Sequence, residues 1–256
     1  MANGVGTTAF STKEANREDK FKQVWSEELN DVFADVANYY DRANRIAAGG
    51  MWGYINRSFL SIIDVKPNDR VLDVCGGTNA VGIAISKKEP TLKITAIDRS
   101  EEMQKVGQER ARAAGFEIES VIHDVHELPF PDNSFDAVTL QFASRHLRVI
   151  EVFSEIHRVL KPGGRFYHSD MLRPPNKLVA FMYYMYLRFS LTFTATMFKS
   201  SRGALNLRKY FIEVLSMFYS ADELSALMRQ VGFTNVTDKR ILFGMLAFHR
   251  AEKPQE

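Results

Sequence analysis

The sequence predicts an α/β fold: a Rossmann-like, mostly parallel sheet closed by a C-terminal antiparallel hairpin, with helices in front and a helical cap inserted late. Three observations predict it. From Arg70 to Ser169 short apolar runs alternate with helical patterns, the mark of βαβ units. Two strand-like runs, Val236 to Ile241 and Gly244 to His249, close the chain about two residues apart, the spacing of a hairpin. Residues 172–219 break the alternation with helical, aromatic-rich sequence and read as the cap.

Residues 20–48 read as helix, because Phe21, Val24, Trp25, Leu29, Val32, Phe33, Val36 and Tyr40 recur at steps of three and four. Gly49-Gly50 ends that run, and a second helical stretch follows from Trp52 to Ile63. Beyond Pro67 and Asn68, Arg70 to Val74 is a short apolar run between turn residues, a buried strand. The remaining alternation gives helix from Ala80 to Lys88, strand from Lys93 to Ile97 and helix from Ser100 to Ala114. It continues with strands from Ile118 to Ile122 and from Phe135 to Phe142, helix from Val149 to Leu160 and strand from Gly164 to Ser169. The chain therefore divides into an N-terminal helical lid (1–66), an α/β core (67–171), an apolar cap (172–219) and a C-terminal helix and hairpin that complete the core (220–256).

Composition removes several function classes. The 256 residues, 45% hydrophobic and 25% charged, suit a globular chain with a sizeable core. A net charge of +2 supplies no strong field for nucleic acid, so no nucleic-acid partner is expected. The single cysteine, Cys75, excludes a disulfide framework and a multi-cysteine zinc site, and points to a reducing compartment. Met1 to Lys20 lacks the apolar core of a secretory signal. Leu178 to Phe198 has the length of a membrane span, but Arg188 sits in its middle and Ser190, Thr192, Thr194 and Thr196 fill its second half. A central arginine costs about 2.5–3.5 kcal/mol on insertion scales, so the stretch is not read as spanning. His123 and His126 form a pair with no third ligand in view, and no metal is expected.

In an open parallel sheet, ligands bind beyond the carboxyl ends of the strands. Strand one runs into Asp73-Val-Cys-Gly76-Gly77-Thr78-Asn79, where glycines let a ligand approach the backbone. Strand two ends at Asp98, about 22 residues after Gly76, where a carboxylate can accept from both hydroxyls of a ribose. The dinucleotide spacing G-x-G-x-x-G is not met, since Thr78 stands in the second glycine place. On these residues alone a tight strand-to-helix turn without a ligand stays open.

Longer motifs narrow the reading. DVCGGTNA (73–80), AIDRS (96–100), ELPFPDNSFD (127–136), FASRH (142–146) and RVLKPGGRF (158–166) together resemble the class I S-adenosylmethionine-dependent methyltransferases, and most closely the UbiE/MenG quinone C-methyltransferases. The resemblance extends to TTAF near the start, VANYYDRAN (36–44), and ELSALMRQVGF and LAFHR near the end, so no long transit peptide is expected.

The resemblance implies the class I methyltransferase fold and S-adenosyl-L-methionine as cofactor. Gly76, Gly77 and Thr78 would wrap its methionine part, Asp98 would hold the ribose hydroxyls, and Met103 would lie beside the adenine. Asp124 and Val125 would read the adenine amino edge, Gln141 would touch the cofactor, and Tyr40 would close the N-terminal helix over the site. Tyr40 and Met103 fit simple packing equally well. The catalytic candidate is Arg145, orienting a water or stabilising a phenolate, with His146 and Asp170 as titratable alternatives. A salt bridge that merely fixes the loop is the other reading of Arg145.

The chain departs from the family pattern at Asn79 for Gly, Ala80 for Asp, Gln141 for Ser, Ser144-Arg145-His146 for Leu-Arg-Asn, and Asp170 for Glu. Asparagine tolerates left-handed backbone, so the turn should survive.

The implied reaction is ring-carbon methylation of a polyprenylated quinol, a demethylmenaquinol or ubiquinol precursor. The alternatives are amine transfer of the rhodoquinone type, methylation of another small molecule or lipid headgroup, and a non-catalytic cofactor-binding partner in a quinone-synthesis complex. Phe181, Met182, Tyr183, Tyr184, Met185, Tyr186, Phe189 and Phe193 would line a tunnel for the lipid-like substrate or lie on a bilayer. Lys177, Arg188, Lys199, Arg202, Arg208 and Lys209 would meet anionic headgroups, although a buried helical hairpin fits the same stretch. The expected location is cytoplasmic, with peripheral contact to the inner membrane face through 177–209, and the expected partner a second copy or a quinone-synthesis complex.

Overall fold

The computed structural model describes residues 9–198 and 208–255. Its strands are β1 (Arg70–Val74), β2 (Lys93–Asp98), β3 (Glu119–Ile122), β4 (Phe135–Gln141), β5 (Leu160–Met171), β6 (Thr234–Ile241) and β7 (Leu246–Glu252). They form one sheet in the order β3-β2-β1-β4-β5-β7-β6, parallel except for β7, which runs antiparallel to both β5 and β6. The helices are α1 (Ala9–Gln23), α2 (Leu29–Val36), α3 (Tyr40–Ala47), α4 (Trp52–Leu60), α5 (Ala80–Lys88), α6 (Glu101–Ala113), α7 (Val149–Val159), α8 (Lys177–Met197), α9 (Arg208–Met217) and α10 (Ala221–Val231).

A parallel strand covered on both faces has no solvent side, which is why β1 is apolar at Val71, Leu72 and Val74, with Asp73 the buried exception. Val71, Leu72 and Val74 are all fully buried. Their alternation feeds two cores. On one face Leu72, Val74 and Val138 pack with Phe153 and Ile156 of α7 and Leu224 and Leu227 of α10. On the other, Val71, Ala96 and Ala137 pack with Ile55 and Phe59 of α4, Ile83 and Ile85 of α5 and Ala111 of α6. Local chemistry stops the helices where they stop. The Ser220 side chain and Glu223 form a reciprocal capping box at the start of α10, and Gly232 at φ 117° ends it.

The N-terminal helices differ from the expected single run over 20–48. Helix α1 already begins at Ala9, a five-residue π-helical segment (Val24–Glu28) joins it to α2, and Ala37–Tyr39 separates α2 from α3. The early start carries no apolar stripe because the face that α1 buries holds Glu14 and Arg17 as well as Phe21. The C-terminal connection also differs from a two-residue turn: Leu242–Gly244 forms a short 3₁₀ turn followed by Met245, with Leu242 and Phe243 at φ 51° and 54°.

In the cap, Tyr183 and Leu187 of α8 pack on Leu215 of α9. The opposite face of α8 is open, with Leu178 66%, Phe181 64% and Phe189 71% exposed, so α8 is not the buried half of a hairpin. No helix among the described residues is long and apolar enough to cross a membrane. Lys199, Arg202 and the side chain of Arg208 lie outside the described residues, as do Thr7 and Thr8 of TTAF.

Candidate active site

The loop from β1 to α5 is wound by three left-handed residues, Cys75, Gly77 and Asn79, at φ 53°, 49° and 56°. Asn79 thus takes the glycine-type conformation without glycine, as its side chain permits. A Cβ on Gly77 would stand 3.2 Å from Met103 Cε, so the loop lies flat on the Met103 side chain. The first turn of α6 follows β2, and the middle of α6 approaches the loop through Gly107, where a Cβ would come within 2.8 Å of the Gly77 carbonyl oxygen. Asp98 ties the two strand ends together: the Gly77 N–H donates to Oδ2 at 3.0 Å and the Ser100 N–H to Oδ1 at 2.9 Å. Burial raises its carboxyl above the usual range, against those donors.

Around this loop lies a cavity of about 270 Å³. Tyr40, Gly76, Gly77, Thr78, Asp98, Met103, Asp124, Val125 and Gln141, drawn from the lid, β1, β2, α6, the segment after β3 and β4, all line it. Asp124 Oδ1 accepts from the His126 backbone N–H at 2.9 Å and lies 2.5 Å from His126 Nδ1, which holds its carboxyl well below the usual range. His126 Nε2 accepts from the Arg148 N–H at 3.1 Å, so both ring nitrogens are engaged within the protein. No three His, Cys, Asp or Glu side chains among the described residues converge as a metal site.

Three functional groups escaped the sequence reading. Asp41 accepts from Thr78 Oγ1 at 3.1 Å and pairs with Arg110, which also donates to the Thr78 carbonyl at 3.1 Å. This cluster fastens α3 onto the glycine loop, and its only sequence signal was the aspartate of the YYD triplet. The third is Asp73. Its Oδ1 accepts from Thr139 Oγ1 at 2.7 Å, while Oδ2 is buried at the cavity wall with no hydrogen-bond partner.

Burial pushes the Asp73 carboxyl up to about 6. In the unfolded chain an aspartate ionises near ~3.9, so between about pH 4 and 6 only the folded protein keeps this proton and stability falls as pH rises. The cost at pH 7 approaches about 3 kcal/mol. Asp73→Asn is therefore expected to be more stable than the parent by about 1–3 kcal/mol at pH 7 and equal to it below about pH 4. Denaturant titrations at both pH values check this; a variant no more stable at pH 7 contradicts it.

A second, larger cavity of about 740 Å³ opens between α2, α3, α4 and the cap. Phe33, Tyr40, Trp52 and Phe142 line both cavities, which adjoin there. Trp52 stacks on Phe142 at 5.6 Å, and Phe142 itself is held at φ 58° just beyond β4, an unfavourable conformation for a bulky residue.

Arg145 lines the larger cavity. Its Nη1 donates to the Phe142 carbonyl at 2.7 Å and to Asp170 Oδ1, and burial is overcome by the aspartate, which keeps the guanidinium charged. Asp170 reaches neither cavity. It is fully buried and accepts further from Ser144 Oγ at 2.6 Å, the Arg145 N–H at 3.1 Å and the Met171 N–H at 2.7 Å, so it holds Arg145 rather than facing a ligand. His146 lines the smaller cavity instead. Trp25 Nε1 donates to Tyr210 Oη at 2.9 Å, and Tyr210 Oη meets His146 Nδ1 at 2.5 Å. His146 Nε2 is buried without a partner, and burial followed by the charge of Arg145 drives its pKa well below the usual range.

Comparison with known proteins agrees with this geometry. A sequence profile of the ubiE/COQ5 methyltransferase family matches residues 21–253. The "Ubiquinone/menaquinone biosynthesis C-methyltransferase UbiE" of Pseudomonas entomophila is 34% identical over 252 residues, 97% of this chain and 95% of its own. The "Demethylmenaquinone methyltransferase" of Anoxybacillus flavithermus is 32% identical over 238 residues, 91% of this chain and 98% of its own. The fold is shared with a methyltransferase from Aquifex aeolicus described as SAM-dependent (TM-score 0.55, 19% identity, 77% of this chain and 88% of that one). It is shared as well with phosphoethanolamine N-methyltransferase 2 of Haemonchus contortus in complex with S-adenosyl-L-methionine (TM-score 0.60, 18% identity, 80% of this chain and 53% of that one). The expected class I methyltransferase fold is thus the observed one, and with the profile covering most of its length the chain belongs to the ubiE/COQ5 methyltransferase family.

Proposed function

We propose that this protein is an S-adenosylmethionine-dependent C-methyltransferase that acts on a polyprenylated quinol. The observation that carries the reading is the pair of adjoining cavities: a small one built on a glycine loop and a carboxylate, and a larger apolar one lined by the buried Arg145, with four aromatic residues lining both. The residues of the small cavity fit the cofactor. Gly77 sits at φ 49° against Met103 and keeps the loop close to backbone, Asp98 offers oxygens at the end of β2, and Asp73 Oδ2 and His146 Nε2 are buried polar atoms in need of partners.

When bound, S-adenosylmethionine supplies a methyl group already activated on a sulfonium. What remains for the chain is positioning and charge. Asp98 accepts hydrogen bonds from the ribose, and Tyr40, Trp52 and Phe142 exclude water between the two chambers. Arg145 donates to the acceptor's oxygen next to the reacting ring carbon and would stabilise the charge left there when that hydroxyl gives its proton to solvent. The methylated ring carbon then loses its own hydrogen to solvent as a proton. The apolar cavity takes the ring and the first part of the tail. The exposed face of α8, with Lys177 and Arg188 also exposed, rests on an anionic bilayer from which such a substrate is drawn. Sedimentation with anionic vesicles, lost in Phe181→Ser/Phe189→Ser, tests that contact; equal binding by the variant removes it.

The test of the reaction is transfer of a labelled methyl group from S-adenosylmethionine to demethylmenaquinol or to a demethylated ubiquinol precursor. Label is expected in the lipid phase. Asp98→Ala is expected to weaken cofactor binding by about 10- to 150-fold, the worth of one hydrogen bond to a charged group. Cofactor binding without label in either acceptor overturns the methylation reading.

A further inference from the structure

Behind Arg145, away from both cavities, a line of buried polar groups runs across the interior strands β5 and β7. Ser144 Oγ lies 2.6 Å from Asp170 Oδ2 and 2.8 Å from His168 Nε2. His168 Nδ1 lies 3.2 Å from His249 Nδ1, and His249 Nε2 lies 3.3 Å from the Ala221 carbonyl oxygen. Asp170, His168 and His249 are fully buried and Ser144 nearly so, which makes a missing bond along the line costly. Nothing in the methyl-transfer reading uses the two histidines.

Counting hydrogens shows that the line is incomplete. Its four contacts each need one hydrogen. An ionised Asp170, a serine hydroxyl and two neutral imidazoles supply three. The shortfall does not depend on tautomer. If His249 donates to Ala221 and His168 to His249, the serine hydrogen serves either His168 or Asp170 and not both. If the line is turned round, His249 Nε2 faces the Ala221 carbonyl with no hydrogen between them. One added proton completes all four bonds. Placed on His249, it lets Nε2 donate to the Ala221 carbonyl while the other three bonds all point along the line toward Asp170.

We infer that Ser144, His168 and His249 form a chain that holds one exchangeable proton and, through Asp170, positions Arg145. The chain's completion fixes the carboxylate, and the carboxylate fixes the guanidinium. The groups facing it are Phe153 and Phe166 around His168, and Asp238, Arg240 and Asp222 around His249. Arg145 and the Met171 N–H face Asp170. Burial opposes the added charge and holds His249 down to about 4, while the fourth hydrogen bond, the Ala221 carbonyl and the nearby carboxylates favour it. The proton therefore enters on the acid side of an ordinary histidine and is lost as pH rises.

Ser144→Ala is the deciding variant, since it removes two contacts and one hydrogen. The two remaining contacts are then served by the two ring hydrogens and the count closes without an added proton. In full-length protein carrying ¹⁵N-histidine, long-range proton–nitrogen correlation reads which ring nitrogens bear hydrogen. The expected result is a single step in weak acid seen on His168 and His249 together, absent or moved down by at least about one pH unit in Ser144→Ala. Two independent steps, no step while the protein stays folded, or an unchanged step in the variant each overturn the chain. The consequence for turnover rests on the methyl-transfer reading. The ratio of parent to Ser144→Ala kcat should rise about 2- to 10-fold as pH falls through the step, with acceptor KM unchanged. A coupled step in a protein that transfers no methyl group sinks the reaction and not the chain; transfer without the step sinks the chain alone.

Discussion

Arg145→Met combined with Asp170→Asn is expected to lower kcat for methyl transfer about 10²–10³-fold, the usual loss when one donor aimed at a developing oxyanion is removed. Cofactor affinity is expected to stay unchanged. The double variant is needed because Arg145 and Asp170 are both buried and paired. Removing the arginine alone would leave a buried carboxylate without its counter-charge, at a cost of about 3–5 kcal/mol, and lost activity would then report lost folding. Asparagine at 170 keeps one acceptor oxygen for the two backbone N–H groups, of Arg145 and Met171, that now bond separate oxygens of Asp170, so a melting curve of the double variant accompanies the rate. Arg145→Lys probes the geometry separately: it retains the charge, but the bonds that Nη1 makes to the Phe142 carbonyl and Asp170 then depend on a compact ammonium on a flexible stem. Single-turnover rates with saturating cofactor measure the effect. A double variant with close to the parent rate would return Arg145 to the role of a salt bridge that only fixes the loop.

The parts of the molecule that could be read from its residues are those where one physical signal acts alone. Strand β1 from Arg70 to Val74 and helix α5 from Ala80 to Lys88 were legible to the residue, because a doubly covered strand is mostly apolar between turn residues and the glycines before α5 mark its start. The glycine loop and Asp98 were legible because a strand end in a parallel sheet is where ligands meet backbone. Asp41 and Arg110 were not, since their pairing joins residues 69 apart in sequence and depends on how α3 lies on the loop. Asp170 could be found but not its orientation: a carboxylate at the end of β5 looks like a base until the structure shows four donors around it. The two histidines of the buried chain, His168 and His249, sit on neighbouring antiparallel strands, and their register is a property of the sheet. Helix α1 was hidden for a different reason. Hydrophobic periodicity finds buried faces that are apolar, and the buried face of α1 carries an ion pair.

That ion pair makes the second large effect. Arg17 is fully buried; its guanidinium donates to Glu14 at 3.0 Å and to the Arg145 carbonyl at 2.8 Å, and lies 5.0 Å from the Phe218 ring and 5.3 Å from that of Trp25. Glu14 in turn accepts from Tyr219 Oη at 2.6 Å and from the Val149 N–H that opens α7. One helix turn from the N-terminal region thus clamps both ends of the 145–149 segment that carries the arginine of the apolar cavity. Arg17→Met is expected to destabilise the protein by about 3–5 kcal/mol, because it strands the Glu14 carboxylate in an apolar setting. For a chain of this size that is a fall in Tm of about 10 °C. Glu14→Gln/Arg17→Met should recover much of the loss, since no buried charge remains and the methionine still fills the space among the rings. Its kcat should nonetheless stay low, because the Arg145 carbonyl has lost its donor and the segment its anchor. The two readouts are meant to separate. If the double variant regains stability and full turnover together, α1 only helps the fold stand; if stability returns and turnover does not, the N-terminal helix sets the position of Arg145.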